Sequence, residues 1–179
     1  EKFYNKMIDP KDPRPISYGL NSKLVKKNGK IYEQTYKIGG MYSEALEQVV
    51  YWLEKAEAVA EEPLKTTIGL LIKYYKSGDL KDFDAFNISW VQDTQSNIDF
   101  VNGFTETYGD PLGFKASWES VVNFIDKAAC ARTQTISENA QWFEDNAPIK
   151  PEYRKPVVKG VSAKVITVAM LGGDCYPTT

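Results

Sequence analysis

The residue types best suited to chemistry lie close together, between Phe100 and Ile125. Glu106 and Tyr108 stand two apart, with Asp110 two further on. A carboxylate can hold a cation or move a proton, and a phenol can donate to a developing oxyanion. Side chains two apart on a strand share a face. With 102–110 extended, Phe104, Glu106, Tyr108 and Asp110 line one face, and Thr105 and Thr107 the other. Unpaired ionised carboxylates are rarely buried, so the first face is a poor core face. Two readings stay open: a wet groove, or a half-exposed strand carrying ordinary solvated acids. Glu119 adds a carboxylate that would pair with Glu106 in a glycosidase-like site.

Composition narrows the chemistry. No histidine occurs among the 179 residues. That rules out a Ser-His-Asp triad, a Cys-His pair and a His-bearing zinc site from this chain acting alone. A net charge of −2 gives no broad basic field for nucleic acid. No apolar run approaches the roughly 20 residues of a membrane span. The chain is expected to meet neither nucleic acid nor membrane, and to be cytoplasmic. Its start, Glu1-Lys2-Phe3, has no signal-peptide core and no initiator Met, so it reads as processed or excised. Cys130 and Cys175 make no framework; they read as free thiols, with a single pairing left open. Gly-rich phosphate motifs and the nucleophile-elbow pattern are absent. Asp79, Asp82 and Asp84 lack the remainder of a calcium loop and read as a solvated acidic connector.

The elements that must position Glu106 and Tyr108 follow from pattern. Asp110-Pro111-Leu112-Gly113 has turn chemistry at each place. β-Branched and aromatic residues flank it, predicting a hairpin. Upstream, 1–15 is an irregular lead-in with three prolines. Residues 16–38 read as strands joined at Asn28-Gly29. A helix is expected over 43–61, capped by Ser43, with Leu46, Val49, Val50, Leu53 and Ala56 on one stripe. A second helix is expected over 63–77, from Pro63 to Gly78. Then come a polar connector over 78–87, a short strand at 88–91 and a short helix over 94–100. After the hairpin, Asp126 caps a long helix over 127–145. Its apolar side is Ala129, Thr133, Ile136, Ala140 and Phe143. Residues 161–171 are the strongest buried-strand signal. The mixed order predicts an α+β fold. It divides into an extended segment and hairpin (1–40), a helical pair (41–78) and a β-core with helix and strand (79–179).

Three stretches carry more than pattern. Trp90-Val91-Gln92-Asp93, then Gly103-Phe104-Thr105-Glu106-Thr107-Tyr108-Gly109-Asp110-Pro111-Leu112-Gly113, then Trp118-Glu119, resemble the dipeptidyl peptidase III family of zinc metallopeptidases. The resemblance is good over about half the chain and poor over the first 80 residues. It implies removal of dipeptides from the N-terminus of short peptides, in a cleft between two lobes. It implies that Glu106 holds the free α-amino group and that Tyr108 donates to the carbonyl oxygen. Trp90 would wall a subsite, and Glu119 would stand on the neighbouring strand near the cleft. The family's H-E-x-x-G-H zinc motif is missing. The resemblance therefore implies part of a substrate-binding lobe, with zinc in the parent enzyme and none bound by this chain. The zinc-bearing lobe of the same polypeptide would be its partner. A non-catalytic peptide-binding or interaction domain is the alternative.

Overall fold

The computed structural model describes residues 2–158 and 164–173, and the fold is α+β. Cys175 and residues 161–163 of the expected C-terminal strand lie outside the described residues. Strands β1 (Ser22–Lys27) and β2 (Lys30–Thr35) pair antiparallel, with Lys27 opposite Lys30. Their turn is Asn28-Gly29, with φ of 52° and 76°. Both central residues of this tight turn need positive φ, which asparagine tolerates and glycine adopts freely.

Helix α1 (Ser43–Val59) buries Leu46 and Val50. Ser43 is its first helical residue and Tyr42 takes the cap position, in the left-handed conformation. The Ser43 hydroxyl instead accepts from the Gly39 N–H at 2.7 Å and donates to Glu47 at 2.8 Å. Helix α2 (Leu64–Ser77) follows Pro63 and ends at left-handed Gly78. It buries Thr67, Ile68, Leu71, Ile72, Tyr74 and Tyr75, and it packs on α1.

Helix α3 (Leu80–Gln92) replaces the expected connector and the short strand at 88–91. The Asp79 side chain caps it by accepting from the Lys81 N–H at 2.9 Å. Phe83 and Phe86 are buried, three apart as on one helix face. Asp82, in the first turn, bonds Lys73 at 2.7 Å and Ser77 at 2.6 Å, so it is no free acid. These partners hold its carboxyl below the usual range. The helix expected over 94–100 is also absent. Asp93 accepts from the Gln95 and Ser96 N–H groups, which turns the chain into a strand.

Strands β3 (Ile98–Glu106), β4 (Ser117–Ile125) and β5 (Ile166–Gly173) form a second antiparallel sheet in the order β3-β4-β5. The chain divides into two compact units. The first comprises the described residues of Glu1–Ser96, Val101–Ser120 and Leu171–Thr179. Its core is aromatic. Tyr74 lies 5.3 Å from Tyr75 and 4.8 Å from Phe83, ring to ring, and Tyr75 stacks on Trp118 at 6.0 Å. The Tyr75 hydroxyl bonds the Asn102 side chain at 2.6 Å, tying α2 to β3.

The second unit is Asn97–Phe100 with Val121–Met170. The single helix expected there is two, α4 (Lys127–Glu138) and α5 (Ala140–Asp145), interrupted at Asn139. Asn139 bonds back to the Thr135 carbonyl at 2.7 Å, a local alternative to continuing the helix. Asp126 is the α4 cap, accepting from the Ala129 N–H at 2.8 Å. Cys130 accepts the Val165 N–H at 3.1 Å and is a free thiol. Of the segment read as a buried strand, Ile166–Leu171 are exposed in this chain, Met170 at 65%. An apolar run identifies a strand. It does not say that both faces are covered.

Candidate functional site

The β3–β4 hairpin carries the site, and its strand stops sooner than alternation suggests. Glu106 is the last residue of β3, so Tyr108 and Asp110 leave the strand and stand in the connection 107–116. The expected turn is present: the Gly113 N–H donates to the Asp110 carbonyl at 2.9 Å. Asp110 also folds its own loop. Its carboxylate accepts the Phe114 N–H at 2.7 Å and the Lys115 N–H at 3.0 Å. Those two amides hold its carboxyl below the usual range. Asp110 is therefore committed to the turn and does not extend the Glu106 face.

The hairpin has two unlike faces. On one, Phe104 meets Trp118 edge to face at 5.0 Å and Tyr36 at 4.7 Å. These rings, with Tyr42, Leu46 and Ser117, line a largely apolar groove of about 550 Å³. On the other, Thr105 hydrogen-bonds Glu119. Glu119 is buried, at 8% exposure, so its carboxylate acts within the sheet. Alternation assigns Glu106 to the Phe104 face, away from Glu119. Alternation thus sets the two acids of a glycosidase-like pairing on opposite faces of the hairpin.

Glu106 and Tyr108 are exposed, Tyr108 at 71%. The Glu106 carbonyl accepts from the Ser117 hydroxyl at 3.2 Å, pinning the strand end. Trp90 is half-buried in the last turn of α3. Its helical setting corrects the strand expected there. The preceding residue, Ser89, bonds Thr67 of α2 at 2.7 Å and so braces that turn.

Sequence reasoning missed the residues that anchor the 107–116 connection. Lys115 bonds Tyr4 and donates to the Gly19 carbonyl at 3.0 Å. Tyr4 is buried and bonds Ser22 at 3.2 Å. Burial pushes the Tyr4 phenol up to about 12. Within a proline-rich, charged lead-in, the signal was a lone Phe3-Tyr4 pair.

The chain has no histidine, and among the described residues no three Cys, Asp or Glu side chains gather as a metal site. No helix among the described residues is long and apolar enough to cross a membrane.

The family model of peptidase family M49 matches residues 19–175. Nudix hydrolase 3 of Arabidopsis thaliana is 28% identical over 154 residues, 85% of this chain and 19% of that protein. Dipeptidyl peptidase 3 of Homo sapiens is 27% identical over 117 residues, 65% of this chain and 16% of that protein. The solved structure of DPP III from Caldithrix abyssi superposes with a TM-score of 0.73 at 23% identity, over 87% of this chain and 29% of that one. These findings define an α+β chain of a peptidase family. The chain belongs to peptidase family M49, the dipeptidyl peptidase III family that the 90–119 residues resemble. It spans about a fifth or less of the length of these two curated relatives.

Proposed function

We propose that this chain is the substrate-side part of a zinc-dependent dipeptidyl peptidase that acts on short peptides. Glu106 takes the peptide's α-ammonium group. An exposed ion pair contributes little, but closure around the substrate removes water and strengthens a charge-assisted bond. Holding the amino terminus at one place counts two residues to the scissile bond. Tyr108 donates its phenolic hydrogen to the carbonyl oxygen as that atom gains negative charge. A positioned donor of this kind contributes about 3 kcal/mol to the transition state. Trp90 walls a subsite from the end of α3. Glu119 bears on the substrate through the strand it steadies.

Zinc and its ligands come, in this reading, from polypeptide outside this chain, which also supplies the opposite lobe. The reading includes a cytoplasmic location, checked by cell fractionation. The observation that carries it is the exposed Glu106–Tyr108 end of a braced hairpin, in a chain matched to this family over most of its length.

The test is turnover of a dipeptidyl-arylamide by the full-length polypeptide, with and without chelator. Chelator should abolish turnover. Tyr108→Phe should lower kcat by about 10²-fold with folding intact. No turnover, or turnover indifferent to chelator, would sink the proposal. Peptide binding without turnover would point to a non-catalytic peptide-binding domain.

A further inference from the structure

Tyr108 stands in a ten-residue connection, outside any strand, so its place depends on how that connection is fastened. Within the loop, the Asp110 N–H donates to the Thr107 carbonyl at 3.0 Å, and the Asp110 carboxylate gathers the Phe114 and Lys115 amides. These bonds shape the loop. Its second half also fastens it to the 4–22 segment. The Ala116 N–H donates to the Leu20 carbonyl at 3.1 Å. The Phe114 ring stacks on Tyr4 at 5.3 Å. The Lys115 ammonium bonds the Tyr4 hydroxyl, the Gly19 carbonyl at 3.0 Å and Ser22 Oγ at 3.4 Å. It also lies 4.5 Å from the centroid of the Tyr4 ring. Ser22 in turn donates to Glu33 at 2.7 Å.

Gly19 makes this close approach possible. A Cβ there would meet the Tyr4 ring at 2.7 Å, and its φ of +90° disfavours any side chain. One ammonium group thus joins three pieces of backbone: the turn bearing Tyr4, the Gly19 carbonyl and the start of β1.

We propose that Lys115 is a positioning residue for Tyr108, its ammonium group fixing the 107–116 connection against the 4–22 segment in one register. The inference rests on the reading of Tyr108 as the carbonyl's hydrogen-bond donor. Lys115 acts through the backbone and touches no substrate. The charged and titratable groups facing it are Tyr4 from the N-terminal turn, Glu33 from β2 and Asp110 from its own loop. Burial lowers the Lys115 ammonium below the usual lysine range, and Glu33 and Asp110 only partly restore it. The half-buried charge therefore adds little stability. What it adds is one geometry, a role that polar groups removed from water fill in some proteins. Effects on geometry and stability should then separate.

Kinetics of the full-length polypeptide test this. Lys115→Met should fold with a Tm close to the parent's. It should lower kcat about 10-fold with KM nearly unchanged, as misplacement of a transition-state donor does. Lys115→Arg should restore most of that loss. In a Tyr108→Phe background, Lys115→Met should cost nothing further, since the group it positions is gone. Hydrogen exchange at the Asp110, Gly113 and Ala116 amides should quicken in Lys115→Met and not in Lys115→Arg. An equal kcat loss in both backgrounds, or unchanged exchange, overturns the proposal. Full turnover by Tyr108→Phe would overturn the functional reading instead, and the exchange result would still decide whether Lys115 fastens the loop.

Discussion

Helices α2 and α4 are similar in length and were both read from apolar stripes, yet they end in opposite environments. Of the 14 residues of α2, six are buried, Tyr74 and Tyr75 completely. Of the 12 residues of α4, only Ala129 is buried, while Ile136 is 59% exposed. In the same unit as α4, Trp142 and Phe143 of α5 also face solvent in this chain. The difference lies in partners. Helix α2 has α1 and α3 against it and β-strand residues over Tyr75. Helix α4 touches α5, and its firmest attachments run through Asp126 and Cys130 to Val165. Periodicity states which face of a helix is apolar. Only packing makes that face a core.

The comparison breaks most visibly at Leu71, which is fully buried in α2. Leu71→Ala removes buried methyl groups and leaves a cavity, so it should cost about 3 kcal/mol. Chemical denaturation of the chain, followed by aromatic fluorescence, measures this. A loss below about 1 kcal/mol would mean that the aromatic core collapses around the gap or is looser than its ring spacings imply.

The same contrast explains what could be read in advance. Helices α1 and α2 and the Asn28-Gly29 turn were legible because propensity, pattern and punctuation agree there. Helix α3 was not. Ile88, Trp90 and Val91 favour strands individually, and the decisive signal was the Asp79 cap with Phe83 and Phe86 three apart. The Glu106–Tyr108 pair was visible as residue types at fixed spacing. Its geometry was misjudged, because the Asp110 carboxylate captures two backbone amides and bends the chain early. Lys115 was invisible, since its partners lie 93 to 111 residues away and no local rule connects them.

Alkaline pH sharpens the comparison at intermediate size, because the buried phenols belong to the aromatic core. Burial raises Tyr4 to about 12 and Tyr75 well above the ordinary 10.0. The fold favours their neutral forms. Their contribution is complete below about pH 10 and fades as unfolded-state phenols ionise above it. Lys115 runs the other way. Its lowered pKa means the folded chain releases that proton first, so stability rises with pH up to 10.5. Urea midpoints should climb slightly below about pH 10 and then fall toward pH 12. Lys115→Met should remove the climb and keep the fall. A midpoint that stays flat above pH 10 would contradict the burial of these tyrosines.

The smallest expected effect lies at Ile136. Isoleucine and serine have similar helix propensities, and this side chain gains little from burial in the chain as it stands. Ile136→Ser should therefore shift stability by no more than about 0.5 kcal/mol. The contrast with Leu71→Ala is the measurement, made on one protein under one condition. A loss above 1 kcal/mol at Ile136 would mean that its apolar face is covered in solution. Dependence of that loss on protein concentration would identify a second copy as the cover, since association stabilises by mass action. A large loss independent of concentration would show that the second unit packs more tightly than its exposed side chains indicate.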